Sequence, residues 1–253
     1  MRIAALCAAL LAGCATMPSA PSDPFLMESR ARVDGTAYTR LAWVPDKRNG
    51  VTSFTLDPVQ PGDAAINAVL RSYIPGQGSG PTLYEECREW AETGFSYEQE
   101  VAPETIAEAY VGVLSSGSNY CGGAHPNTFV RRSVYDRTTG MELDPSTFLK
   151  ADALVFYDFP PEEGEVKRPV DGLGASFRSV ARRYVPRAEG DCGGIDILED
   201  GSLDIGVTRQ GIVFEPELAH AVQACADTVT VPWVAAAPYL SAEGRAVRAA
   251  LGG

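Results

Sequence analysis

Histidine is scarce in this sequence. Two among 253 residues, His125 and His220, leave little material for general-base catalysis or for a histidine-built metal centre. Positive charge is short as well: 21 Lys and Arg stand against 33 Asp and Glu, a formal net charge of −12. That balance argues against nucleic acid, whose phosphates demand clustered Lys and Arg. It suits simple solubility or a basic partner. Past the first residues, no apolar run is long enough to span a bilayer as a helix. The motif inventory is equally thin, with no Walker lysine motif, no H-E-x-x-H and no G-x-S-x-G elbow. Gly172–Phe177 begins like G-x-G-x-x-G but ends in Phe177, after a proline-rich loop. Asp196, Asp200 and Gly201 mimic a calcium loop, whereas Leu198 and Val207 fill two of its ligand positions and break the match. Glu162 and Glu163 are neighbours on a loop, unlike a glycosidase pair, which flanks its sugar. No cofactor or metal is implied.

The N-terminus is more informative. Arg2 supplies a minimal positive segment, Ile3–Leu11 is a short apolar run, and Leu11-Ala12-Gly13-Cys14 follows. This resembles a bacterial lipobox, with residues 1–13 as the signal peptide and Cys14 as the lipidated first residue of the mature chain. Two acyl chains there meet what stable anchoring needs, and a third exceeds it. Ala15 in place of an aspartate favours, by analogy with Gram-negative sorting, the outer membrane and its periplasmic face. Cleavage would remove Arg2 and no acid, leaving 20 basic against 33 acidic residues, a formal charge of −13. Residues 14–27, rich in Pro, Ser and Ala, read as a tether.

With Cys7 in the signal and Cys14 lipidated, Cys87, Cys121, Cys192 and Cys225 remain. An even number in an exported chain reads as two disulfides. Three pairings are formally possible. Cys87–Cys121 with Cys192–Cys225 is preferred, because each bond then stays within one half of the chain. A four-thiolate zinc site lacks the C-x₂-C spacing.

Strand patterns cover Tyr38–Val44, Val51–Leu56, Phe95–Val101, Ile106–Leu114 and Phe129–Asp136, with a short strand at Met141–Leu143 after the turn Asp136–Gly140. Leu203, Ile205 and Val207 alternate with polar neighbours, as do Val229, Val231 and Trp233, and Ile212–Phe214 reads as a buried strand. Helices are expected at Ala64–Tyr73, capped by Asp63 with Ile66, Val69 and Leu70 inward; at Leu83–Ala91; at Ala175–Tyr184; at Pro216–Cys225, with Pro in the first turn; and from Ser241 through Leu251, where Gly244 weakens the pattern. Trp43, Trp90 and Trp233 read as core. The grouping of hairpins with helices between them predicts an α+β fold of antiparallel sheets with packed helices. It divides into two small modules, 28–157 and 170–253, around the loop-like Asp158–Pro169.

The segment Ser116–Asn127, SGSNYCGGAHPN, draws the most attention. It joins two strand patterns through Gly122-Gly123, a pair suited to positive φ or close backbone approach; Gly193-Gly194 beside Cys192 echoes it. Tyr120 is either an exposed aromatic suited to binding or a cover for the hairpin. His125, beside a Ser116 or Ser118 nucleophile and Gly122/Gly123 amides, sketches a hydrolase or deacetylase-like enzyme acting on cell-wall material. The pattern supplies no orienting acid, and a ring bonded to loop backbone is the simpler role.

Tyr120–Asn127, followed by Val134–Gly140, resembles an uncharacterised extracytoplasmic module pair. That pair is found at the C-terminus of lysozyme-sensing anti-sigma factors and beside certain peptidoglycan deacetylases. Gly211–Glu217 and Thr228–Trp233 are similar to the ending of its second module, so that the likeness spans approximately residues 38–240. The resemblance implies a non-catalytic binding role at the cell envelope, with lysozyme-like enzymes or peptidoglycan as partners and Tyr120, His125, Asn127, Pro216, Glu217 and His220 as binding residues. No anti-sigma segment or deacetylase domain accompanies the module here, and the family's aromatic-rich stretch reads Pro216-Glu217-Leu218-Ala219-His220 instead.

Overall fold

A computed structural model of the chain describes residues 23–91, 94–123, 125–158, 167–186, 192, 195–199 and 201–253. The signal segment, Cys14, most of the tether, Gly193-Gly194, Glu162-Glu163 and most of the expected inter-module loop lie outside the described residues, as does the side chain of residue 220.

Two sheets carry the fold, and it is α+β. The first holds seven strands in sequence order: β1 Leu26–Val33, β2 Thr36–Trp43, β3 Asn49–Leu56, β4 Ser96–Ile106, β5 Tyr110–Tyr120, β6 Asn127–Asp136 and β7 Glu142–Leu143. Neighbours are antiparallel except β3 and β4. That parallel step needs a long crossover, which α1 (Asp63–Ser72) and α2 (Leu83–Trp90) provide. The second sheet orders β12 (Val229–Pro232), β11 (Gly211–Glu217), β10 (Ser202–Val207), β9 (Val170–Leu173) and β8 (Leu154–Phe156), all antiparallel. Around it pack α3 (Ala175–Ala181), the short α4 (Trp233–Ala236) and α5 (Ala242–Leu251). No helix among the described residues is long and apolar enough to cross a membrane.

Side-chain burial explains the helices. Ile66 and Leu70 of α1 are sealed against Phe54, Val101, Ile106 and Tyr135, each such side chain contributing roughly 1.5–3 kcal/mol. Val69, expected inward, is 39% exposed. Tyr84 and Cys87 of α2 join Trp43, Val51 and Tyr97, and the Thr82–Glu85 capping box starts this helix. In α5, Ser241 caps through Gly244 N. Gly244, which weakens the helical pattern, lies where a Cβ would come within 2.0 Å of Phe148 O, so close packing requires it. The second core gathers Phe177, Phe214, Val231, Trp233 and Val247, and it reaches Val134 on β6.

Several local expectations are corrected. β1 has no strand pattern in the sequence, because its exposed edge imposes no apolar alternation. Pro103 sits inside β4 at a register shift rather than ending it, since a bulge admits a residue without an N–H; Ile106 therefore ends β4 and does not begin β5. Pro216 and Glu217 close β11 instead of opening a helix, and residues 220–225 form a 3₁₀ turn. Asp63 is the first helical residue, not the cap: its carboxylate accepts from Val59 N and Gln60 N and holds Arg137.

Both disulfides form as the preferred pairing, Cys87–Cys121 and Cys192–Cys225. Between the sheets lies a charged junction. Arg132 of β6 donates from Nε to Glu104 Oε2 at 3.0 Å and from Nη1 to Glu215 Oε2 at 2.5 Å, and Thr228 Oγ1 donates to the same Glu215 oxygen at 2.6 Å. Its backbone N–H donates to Asp204, which also accepts from Lys167 Nζ at 2.9 Å. Burial disfavours the charged guanidinium, yet Glu104 and Glu215 outweigh it and hold the Arg132 pKa above its ordinary value. Gly206 makes room here, where a Cβ would lie 2.5 Å from Arg132 Cδ.

Candidate functional site: the braced hairpin tip

The β5–β6 hairpin pairs without interruption from Tyr110↔Asp136 to Asn119↔Asn127. The strands therefore reach further into the SGSNYCGGAHPN stretch than its glycines suggest, leaving the connection from Tyr120 to Asn127 as the tip. Gly122 takes φ +94°, a conformation that a side chain would strain. Gly122, Gly123, His125 and Asn127 are exposed and Tyr120 is half-buried. Cys121 is bonded to Cys87 in α2 with its Cα 4.8 Å away, so the tip is pinned to a helix whose Tyr84 ring stacks edge-on against Trp43 and Tyr97.

One turn beyond Cys87 stands Trp90, 70% exposed. The sequence places it in the core, and helical geometry shows why that fails. Tyr84 and Cys87 define the buried stripe, and a further three-residue step carries Trp90 about 60° past Cys87 and about 120° past Tyr84, to the stripe's margin at the last residue of α2. An indole left in solvent beside a disulfide-braced loop is a typical anchor for a macromolecular partner.

Strand register assembles the rest. Directly opposed residues share a face, and Glu98↔Ser118↔Thr128 and Glu100↔Ser116↔Val130 form two adjacent rows, with Ser96↔Tyr120 nearest the tip. Glu98 and Glu100 are exposed, and among the described residues neither forms a hydrogen bond or ion pair with its side chain. Further down the same face, Arg132 is covered by the second sheet. The face is thus closed at one end and open, acidic and hydroxyl-rich at the tip. Trp90, Glu98 and Glu100 escape sequence reasoning. For the acids a signal exists: in Ser96-Tyr97-Glu98-Gln99-Glu100 both occupy one face of a strand whose other face is apolar or amide.

The remaining expected residues lie elsewhere. Pro216 is buried opposite Leu203, and Glu217 is exposed, its Oε2 accepting from Ser202 Oγ at 3.0 Å. With residue 220, they belong to the second sheet's end, closed by Cys192–Cys225. Tyr120, His125 and Asn127 are together; Pro216, Glu217 and His220 form a separate group. Among the described residues, no group of three or more His, Cys, Asp or Glu is placed to hold a metal ion.

Cys121→Ser, which frees the tip, is expected to lower stability by about 4 kcal/mol, since the bond closes a 34-residue separation. Urea unfolding of the oxidised parent and the variant measures this.

No family model matches the chain, and no curated protein does. Among solved structures it is similar to a DUF3298 family protein from Pseudomonas aeruginosa PAO1, at 11% identity and a TM-score of 0.45, covering 87% of this chain and 96% of that one. A DUF3298 family member from Bacteroides fragilis NCTC 9343 is similar at 12% identity and a TM-score of 0.46, covering 89% and 94%.

Proposed function

We propose that this protein is a binding protein of the bacterial cell envelope, anchored through lipid on Cys14 at the periplasmic face of the outer membrane. Its β5–β6 tip binds a basic extracytoplasmic protein of the lysozyme type. The tip itself carries the reading: a loop fixed by Cys87–Cys121, with exposed Trp90 one helical turn beyond Cys87, opening onto Glu98 and Glu100, whose carboxylates have no partner among the described residues. An aromatic anchor beside carboxylates suits a cationic surface, and the mature chain's formal charge of −13 favours encounter. The two disulfides fit an oxidising compartment.

Lysozyme retention by the immobilised full chain tests this. Binding is expected at low salt and should weaken severalfold at moderate salt, because the carboxylates are exposed and screened. Glu98→Gln/Glu100→Gln should reduce the salt dependence and Trp90→Ala should reduce binding at both salts. No retention at either salt would reject a lysozyme-type partner, and co-sedimentation with purified peptidoglycan would redirect the reading to the wall. Loss of a cell-wall hydrolysing activity on His125→Ala would instead support an enzyme.

A further inference from the structure

We propose that two copies of this chain associate through β1, edge to edge and antiparallel, with Ser29 opposite Ser29 of the second copy. This is independent of the tip and of what it binds.

The other sheet edges are short: β7 has two residues, β8 three and β12 four. β1 has eight, pairs without a bulge to β2 and contains no proline, so of the devices that blunt an edge it carries only charge, on Glu28, Arg30 and Arg32. Its hairpin shows which groups are free. Asp34 and Gly35 take φ 50° and 80°, the primed two-residue turn. The closing pair Val33↔Thr36 is then hydrogen-bonded, and alternation follows. Val33, Ala31, Ser29 and Met27 bond to β2, whereas Glu28, Arg30 and Arg32 turn their N–H and C=O groups outward; the Leu26 N–H is taken by Asp23 O at 3.1 Å. Met27 through Arg30 are exposed.

Both ends of the strand are held. Asp34 Oδ2 accepts from Thr105 Oγ1 at 2.9 Å and from Arg209 Nε at 2.8 Å. At the other end, Trp43 Nε1 donates to Asp23 Oδ2 at 3.0 Å and its ring meets Phe25 edge-on. Pairing therefore costs little ordering.

Charge selects the occupant and the register. A two-fold pairing must place outward residues opposite one another. Centred on Ser29, it sets Glu28 against Arg30 twice and Met27 against Ala31. Shifted by one residue either way, it sets Arg30 against itself or Glu28 against itself, and directly opposed like charges are destabilising. Only the Ser29-centred register is complementary throughout its middle, which makes the strand's own copy a fitting partner. Arg30 is already extended by its bidentate contact with Asp57, 2.7 Å at both nitrogens.

Cysteine trapping tests it. In the full chain, Ser29→Cys places two thiols across a non-hydrogen-bonded pair, about 4.5 Å between Cα atoms and within disulfide reach. Mild oxidation should yield a band near twice 26.9 kDa on a non-reducing gel, at least tenfold stronger than with Glu28→Cys or Arg30→Cys. Adding Glu28→Arg to Ser29→Cys should abolish the band, and adding Arg30→Glu as well should restore it. Equal yields at all three positions, a maximum at Arg30→Cys, or indifference to charge reversal would overturn the proposal. So would a Ser29→Cys chain that remains monomeric with both native disulfides intact, even if β1 then captured a strand from another protein.

Discussion

Arg132→Ala is expected to remove about 4 kcal/mol of folding stability, the scale of breaking a buried ion pair from one side. Arg132 is 5% exposed and Glu215 4%, so truncation leaves Glu215 and the largely buried Glu104 without their cation. The pair itself adds little over a well-packed apolar substitute, since desolvating three charges offsets most of their attraction. The expected loss is the cost of the orphaned carboxylates. Arg132→Ala/Glu215→Ala should therefore be less destabilised than the sum of the single variants, by more than 1 kcal/mol in a double-mutant cycle. Urea unfolding supplies the values, and additive effects would refute the coupling. Because β6 belongs to the first sheet and Glu215 to the second, the same cycle reports how firmly the sheets are joined.

Asp63→Asn is expected to cost about 3–4 kcal/mol at neutral pH, for the same reason with the sign reversed. Asp63 is fully buried, and its carboxylate receives Arg137 Nε at 2.8 Å and Nη2 at 2.7 Å, while Arg137 Nη1 donates to Ala107 O at 2.6 Å. Burial alone would raise the Asp63 pKa. The Arg137 contact and the amides of Gln60 and Val59 together outweigh it and hold the carboxyl below its ordinary value. A depressed acid contributes stability that is complete above its unfolded pKa of about 3.9 and is lost as pH falls through the folded value. The parent should therefore lose stability below about pH 4, and Asp63→Asn should be weaker at pH 7 with a flatter acid limb. Thermal unfolding between pH 2 and 7 measures both, and parallel curves would contradict the assignment.

These two ion pairs show what the sequence conceals. Arg132 is separated from Glu104, Asp204 and Glu215 by 28, 72 and 83 positions, and local periodicity carries no information about pairing at that range. A trace exists, because Arg132 shares its strand face with Val130 and Val134, and Glu215 lies in a run that is otherwise buried. A charge in an inward position asks for a partner without naming it. Strand and helix identity was far more legible. β6, the Asp136–Gly140 turn, α2 and α5 follow from alternation, caps and turn residues that act within a few positions. Pro103 and Pro216 misled, because a bulge and a strand end accommodate proline as readily as a helix start does. At the tip, the glycines, Cys121 and His125 were visible. Trp90 was not, since its exposure depends on where α2 ends, and Glu98 and Glu100 gain meaning only through register with Ser116 and Ser118.

Hydrogen–deuterium exchange of the full chain with and without lysozyme locates the binding surface. Backbone amides of α2 and of residues 118–128 should slow severalfold on binding, and Trp90→Ala should abolish this protection. Binding that leaves those amides unchanged while protecting the end of β11 and the turn after it would contradict binding at the tip.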